Sequence, residues 1–285
     1  MFRSFVKLAC LTLLSAVVLS VAFAGGEKLR YQMPKGVTIK YKLTIDSKTK
    51  AQAEGQDFTA TSWSLFGISL TGEDAGKNGE LICVGKVDTN LSRIDSPMMK
   101  DTARVMKEIN GKRVRLTMSP RGRTLKSVLV DEIPQTQAMQ MMGGGNPTDF
   151  LRRLFVELPE KEAGVGDSWK QTRPDTTNAQ GMKIITKPDV TFKIAGNETI
   201  GGYECLKISF EGTSSQYGTG SMQGMELVLD GTDKSKGTVY FAPKEGLMIS
   251  IEQTSTNEVN ISGTGERMFT RTQSTTTTSK IVLVK

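Results

Sequence analysis

Histidine is missing from all 285 residues of this chain. With it go the usual general base and the commonest metal ligand, so catalysis here would rest on carboxylates, lysines, serines or a cation held by oxygen. Cysteine is nearly as scarce: Cys10 falls in the apolar N-terminal stretch, and only Cys83 and Cys205 lie beyond it. Neither reads as a catalytic thiol, because no imidazole exists to activate one. Beyond residue 24 no run approaches 18 consecutive apolar residues, which excludes a membrane-spanning helix in that part of the chain. Blocks of one charge are missing too. Lysine and arginine alternate with aspartate and glutamate throughout, without the basic cluster and interleaved aromatics that nucleic-acid binding requires.

What is present begins with an export signal. Arg3 and Lys7 form a basic start, Leu8 to Val21 an apolar run, and Ala22-Phe23-Ala24 the small-residue end that a signal peptidase reads, with the cut between Ala24 and Gly25. The alternative is a retained membrane anchor; Thr12, Ser15 and Ser20 within the run and the Ala-x-Ala end favour cleavage. Cys10 sits at the start of the run, whereas a lipidated cysteine would stand at its far end. The protein is therefore expected to be secreted or periplasmic. Cleavage leaves 261 residues (285 less 24) and lowers the formal charge from +7 to +5, since Arg3 and Lys7 leave. That length is ample for one large core.

Alternation of apolar and polar residues, the period of a half-buried strand, dominates the remainder. Residues 37–45, 190–194 and 247–251 show it clearly, and the run from Thr275 into Ile281-Val282-Leu283-Val284 makes the chain end in a sheet. Ser119-Pro120-Arg121-Gly122, Gly196-Asn197, Gly201-Gly202 and Pro243-Lys244-Glu245-Gly246 read as turns between strands. Helical periodicity is confined to the middle: Met98 to Ile109, Gln135 to Met142, and a third segment with Phe150, Leu151, Leu154 and Phe155 as its apolar face, capped by Asn146 or Thr148 and ending near Leu158-Pro159. The expected fold is mainly β, a single domain over 25–285. A large curved antiparallel sheet, half-barrel-like, is built from strand-rich stretches 31–131 and 163–285 around a short helical insert at 134–158.

Few segments promise chemistry. Cys83 and Cys205 sit in apolar strand-like runs, where they either pack as free thiols or pair in an oxidising compartment and staple the two halves. Met139, Met141 and Met142, leading into Gly143-Gly144-Gly145, make a soft apolar patch that serves either as a lid over a hydrophobic cavity or as helix-to-sheet packing. The triple glycine lacks the lysine of a phosphate loop. Asp230-Gly231-Thr232-Asp233 lacks the oxygen run and closing glutamate of a calcium loop. The acid pairs Asp131-Glu132 and Glu160 with Glu162 read as solvated surface, and Gly166-Asp167-Ser168-Trp169 reads as a tight turn followed by an aromatic anchor, not a nucleophile and base. No catalytic constellation, cofactor site or metal site is expected.

The residues 116–122, Leu158-Pro159, Gly166-Asp167-Ser168-Trp169, 201–208, Gly237-Thr238-Val239-Tyr240-Phe241 and Gly246-Leu247 together resemble a family of exported bacterial proteins of unknown function. They also resemble, at the level of fold, the LolA-like lipoprotein carriers. The second resemblance implies an antiparallel sheet wrapped around helices, with an apolar concave face able to hold an acyl chain or a lipoprotein. The functional expectation is an exported, non-enzymatic cell-envelope protein that binds a lipid or other hydrophobic ligand. The alternative is a structural or interaction module of the envelope with no small ligand.

Overall fold

Alternating sequence without helix-favouring breaks lets strands grow far past the usual five or six residues. The computed structural model describes residues 26–284 other than 54, 77, 78, 98, 134–148, 153, 180, 223, 224, 266 and 267. The first stretch contributes β1 (Thr38–Ala53), β2 (Gln56–Ala75), β3 (Leu81–Ser96), β4 (Met99–Arg104), β5 (Arg113–Met118) and β6 (Thr124–Leu129). After a one-turn helix, α1 (Asp149–Arg152), come β7 (Ser168–Gln171), β8 (Asp175–Ala179), β9 (Met182–Ile200), β10 (Tyr203–Met222), β11 (Met225–Ala242), β12 (Leu247–Thr264) and β13 (Phe269–Val284).

All of these join one antiparallel sheet that does not close into a barrel, in the order β6-β5-β3-β2-β1-β13-β12-β11-β10-β9-β7, with β4 on β3 and β8 on β9. The first and last long strands lie side by side, Lys40 opposite Val284 through to Ala53 opposite Arg271, and this pairing makes the two strand-rich stretches continuous. Short turns hold the register. Gly201 and Gly202, with φ of 59° and 90°, supply the two positive dihedrals of a two-residue hairpin between β9 and β10. Gly122, at φ 91°, closes the Ser119–Gly122 turn between β5 and β6.

Strand alternation gives the sheet two faces. The inner face carries Tyr41, Leu43, Phe66, Ile68, Phe210, Val239 and Ile251, which join the N-terminal Leu29 and Tyr31 and the crossing segment's Leu151, Leu154 and Leu158 in the main core. This core occupies one end of the long strands. Further along, the same face carries Ser47, Thr49, Ser235, Ser255, Thr275 and Thr277, followed by a second small cluster of Met182, Leu227, Leu229 and Val259.

Three expectations are corrected. Met98 to Ile109 is not a helix: β4 pairs with β3, and the Asn90 side chain accepts from Met106 N at 2.8 Å and donates to Met106 O at 2.9 Å, so tertiary pairing overrides the local period. Gly196-Asn197 is not a turn but part of β9, next to a bulge where the register with β10 slips at Lys207/Ile208. The third helical segment is a single turn, and the chain beyond it is extended. Of the two states open to Cys83 and Cys205, the structure has them as free, buried thiols. Cys83 joins the inner-face core on β3 while Cys205 joins Ala242 and Ile249 on the opposite face of β10, with five strands between. Burial pushes their thiols up, to about 12 and about 11.

Candidate functional site

The segment after α1 runs extended across the inner face, where no strand is available to satisfy its carbonyls. Side chains from elsewhere do so. Thr124 donates to Arg152 O at 3.0 Å, Tyr31 to Val156 O at 3.1 Å, Trp169 to Glu157 O at 2.9 Å and Arg121 to Leu158 O at 2.7 Å; Arg30 reaches Pro159 O and Glu160 O at 3.2 Å each. A buried backbone of this kind must be paired, and here the pairing draws donors from the N-terminal segment, the β5–β6 turn, β6 and β7 onto one strap. Phe155 anchors it from above, edge-on to Tyr31 at 5.0 Å and to Tyr41 at 6.4 Å.

Between this strap and the sheet opens a cavity of about 540 Å³. Its floor is apolar: Val190 and Phe192 of β9, Phe210 of β10 and Ile251 of β12, with Phe155 as a wall. Phe192 is held between two rings, stacked on Trp169 at 5.3 Å and 9° and tilted against Phe210 at 5.4 Å. The rim is polar. Arg123, Arg152 and Arg173 border it, with Glu157 and Asp175 as acids and Gln171, Ser235 and Gln253 as neutral groups. Arg152 pairs with Asp175 at 3.7 Å. Such a site can take an apolar chain against the floor while presenting guanidinium groups to an acidic or polar head at the mouth.

Gly166-Asp167-Ser168-Trp169 supports the floor from behind. Gly166 adopts φ 98°, the Asp167 carboxylate accepts from Gly164 N at 2.9 Å, and Gly166 N and Asp167 O bond Ile194 of β9. The tetrapeptide is thus a turn that aims Trp169 onto Phe192. Asp131 is more than a solvated charge: Arg113 donates to it through backbone N and Nη2 at 2.8 Å and through Nε at 3.0 Å, and these bonds hold its carboxyl well below the usual range, at about 2. Asp230 and Asp233 stand in β11, not in a loop. Among the described residues no group of three or more acids and cysteines lies close enough to hold a metal ion, and no helix is long and apolar enough to cross a membrane.

Ala24 and Gly25, the expected cleavage pair, and Met139, Met141 and Met142, the expected lid, lie outside the described residues, as does the triple glycine. The arginine rim was not foreseen. Arg123, Arg152 and Arg173 come from the β5–β6 turn, a helix end and a loop, and no local spacing links them.

No protein-family model and no curated protein matches the chain. Among solved structures it is similar to one of lipid–protein interactions in lipovitellin, with a TM-score of 0.51 and 12% identity over 89% of this chain; it spans 26% of that chain. An outer membrane channel from Pseudomonas putida F1 aligns with a TM-score of 0.28 and 11% identity, over 90% of this chain and 98% of that one. The likeness to lipovitellin is one of fold.

Proposed function

We propose that the protein is an exported, non-catalytic component of the cell envelope that binds a single-chain amphiphile, its apolar tail on Val190, Phe192, Phe210 and Ile251 and its polar or acidic head among Arg123, Arg152 and Arg173. The observation that carries this reading is the cavity itself: an apolar floor beneath a strap immobilised by side-chain donors, opening at a cationic rim. At about 540 Å³ the cavity falls within the range of small-molecule sites. The fold shared with lipovitellin, a structure described by its lipid interactions, supports the ligand class at a coarse level.

A second reading, an interaction module without a small ligand, draws on a different observation. The main core fills the strap end of the inner face, and the middle of that face bears hydroxyls instead of the apolar lining that a large lipid load would need.

Native mass spectrometry of the purified protein, before and after incubation with palmitate and with lysophosphatidylglycerol, separates the two. The carrier reading expects one amphiphile per chain, lost in Ile251→Asp and weakened in Arg173→Glu. Absence of any adduct from either probe, with the protein folded, leaves the interaction module.

A further inference from the structure

The outer face of the sheet holds a second site, on the opposite side from the cavity. Sequence reading gave Trp63 no role. It lies in β2 facing away from the core, half-buried, directly between Asp46 of β1 and Arg93 of β3. Around it runs a groove of about 450 Å³ bordered by Lys48, Thr61, Asp95, Asp101, Thr276 and Thr278. The groove crosses β13, β1, β2, β3 and β4, four strand spacings or about 19 Å.

Two properties suit it to a polar ligand. Elsewhere on the outer face several charges are matched: Lys280 pairs with Glu252, Lys170 with Asp189, Lys207 with Glu198 and Arg115 with Glu73. In the groove, Asp46, Lys48 and Arg93 make no ion pair or hydrogen bond among the described residues, and Asp95 accepts only a long 3.4 Å bond from Asp101 N. Side chains of both signs thus stand next to one another with their donors and acceptors open. The groove also mixes an aromatic plane with hydroxyls of three threonines.

We propose that this groove binds an uncharged oligosaccharide. A sugar ring offers one face of C–H groups, which stacks on an indole, and an edge of hydroxyls, each both donor and acceptor, which match carboxylates, ammonium, guanidinium and threonine hydroxyls together. Three acids against two bases leave the groove slightly negative, so anionic headgroups and polyanions gain nothing from it. An elongated, polar, cross-strand groove with one aromatic plane suits a chain of pyranose rings laid across the strands.

Trp63 and Trp169 are the two tryptophans of the chain, one on each face. In a Trp169→Phe background, fluorescence reports Trp63 alone, and calorimetry on the unaltered protein provides an independent readout. The probes are chitotetraose, cellotetraose and maltotetraose, with phosphatidylglycerol vesicles as the contrasting surface. The expected result is a saturable change in Trp63 emission with at least one tetrasaccharide. Its affinity should fall about tenfold in Trp63→Ala and measurably in Asp95→Asn, with thermal unfolding of both variants unchanged. The proposal is overturned if no tetrasaccharide binds at millimolar concentration by either method, if Trp63→Ala binds as tightly as the parent, or if only the vesicles bind. Amphiphile uptake by the inner cavity is measured separately and is unaffected by any of these outcomes.

Discussion

The inner face of one sheet is built in two ways. At the strap end, Tyr41, Phe241, Ile208, Val239 and Met248 are sealed from solvent under Leu151, Leu154 and Leu158. Midway along the same strands the residues become small and hydroxylated, and the interactions become cross-strand pairs: Ser47 with Thr277 and Thr49 with Thr275 at 3.0 Å, Ser64 with Ser92 at 2.9 Å. One end is held by burial and the other by register. Burial scales with apolar area removed from water, whereas a hydroxyl pair on a strand contributes only about 0.2–1 kcal/mol. The cavity lies where these two regimes meet, between strap residues 155–157 and the apolar floor of the sheet, with Ser235 and Gln253 already at its border.

If that division is right, the largest losses come from the sealed end. Phe241→Ala removes a fully buried ring that packs edge-on against Tyr31 at 5.3 Å, and should cost about 3–5 kcal/mol in chemical denaturation. Trp169→Ala belongs to the same class. A loss below about 1 kcal/mol at Phe241 would mean that the core is not the source of stability.

At the boundary the expected effect is smaller and more informative. A Cβ on Gly237 would stand 2.3 Å from Glu252 O and 2.6 Å from the Phe210 ring, which lies over this glycine and also lines the cavity floor. Gly237→Ala therefore has to displace Phe210, at about 1–3 kcal/mol. It should also alter amphiphile uptake, measured by the same mass-spectrometric titration. Thr277→Val, in the hydroxylated region, keeps shape and β propensity while removing the bond to Ser47, and should cost no more than about 1 kcal/mol. An equal loss at Thr277 and Gly237 would erase the distinction between the two regions.

Much of this was legible in the sequence and some was not, for reasons that follow the same division. Strand alternation at 37–45 and 247–251, and the turns at Gly201-Gly202 and Pro243–Gly246, are local signals, and they are where the structure has them. The open antiparallel sheet follows from them. Met98 to Ile109 misled because apolar spacing of three and four residues arises equally when a strand passes into a turn that buries Met106 and Ile109. The strap was missed because its order comes from Arg30, Tyr31, Arg121 and Trp169, donors from up to 130 residues away. Both candidate sites are assembled by sheet order, which pairs β1 with β13 and lays β9 to β12 side by side, and no single segment encodes that.

The smallest effects come from protonation, and they have opposite signs in two places. Asp131, on the exposed stretch after β6, has its carboxyl lowered to about 2 by hydrogen bonds from Arg113. Its contribution is fully present above the ordinary carboxylate pKa near 4 and is lost as pH falls toward 2. Asp233, on the hydroxylated inner face of β11 opposite Ser214 and Asn257, is raised because burial disfavours its charge. It stabilises the fold only while protonated, and that contribution disappears as pH rises through its elevated value. Asp131→Asn should therefore lower Tm at pH 7 and leave it unchanged near pH 2, while Asp233→Asn should raise Tm at pH 7 and leave it unchanged in acid. At the sealed end Tyr31, Tyr41 and Cys83 are all pushed upward by burial, away from the range in which the two aspartates titrate. A shared sign for the two aspartates in a pH series of melting curves would show that the inner face at Asp233 is as well solvated as the sheet's margin, and the contrast between hydroxylated interior and open surface would then be lost.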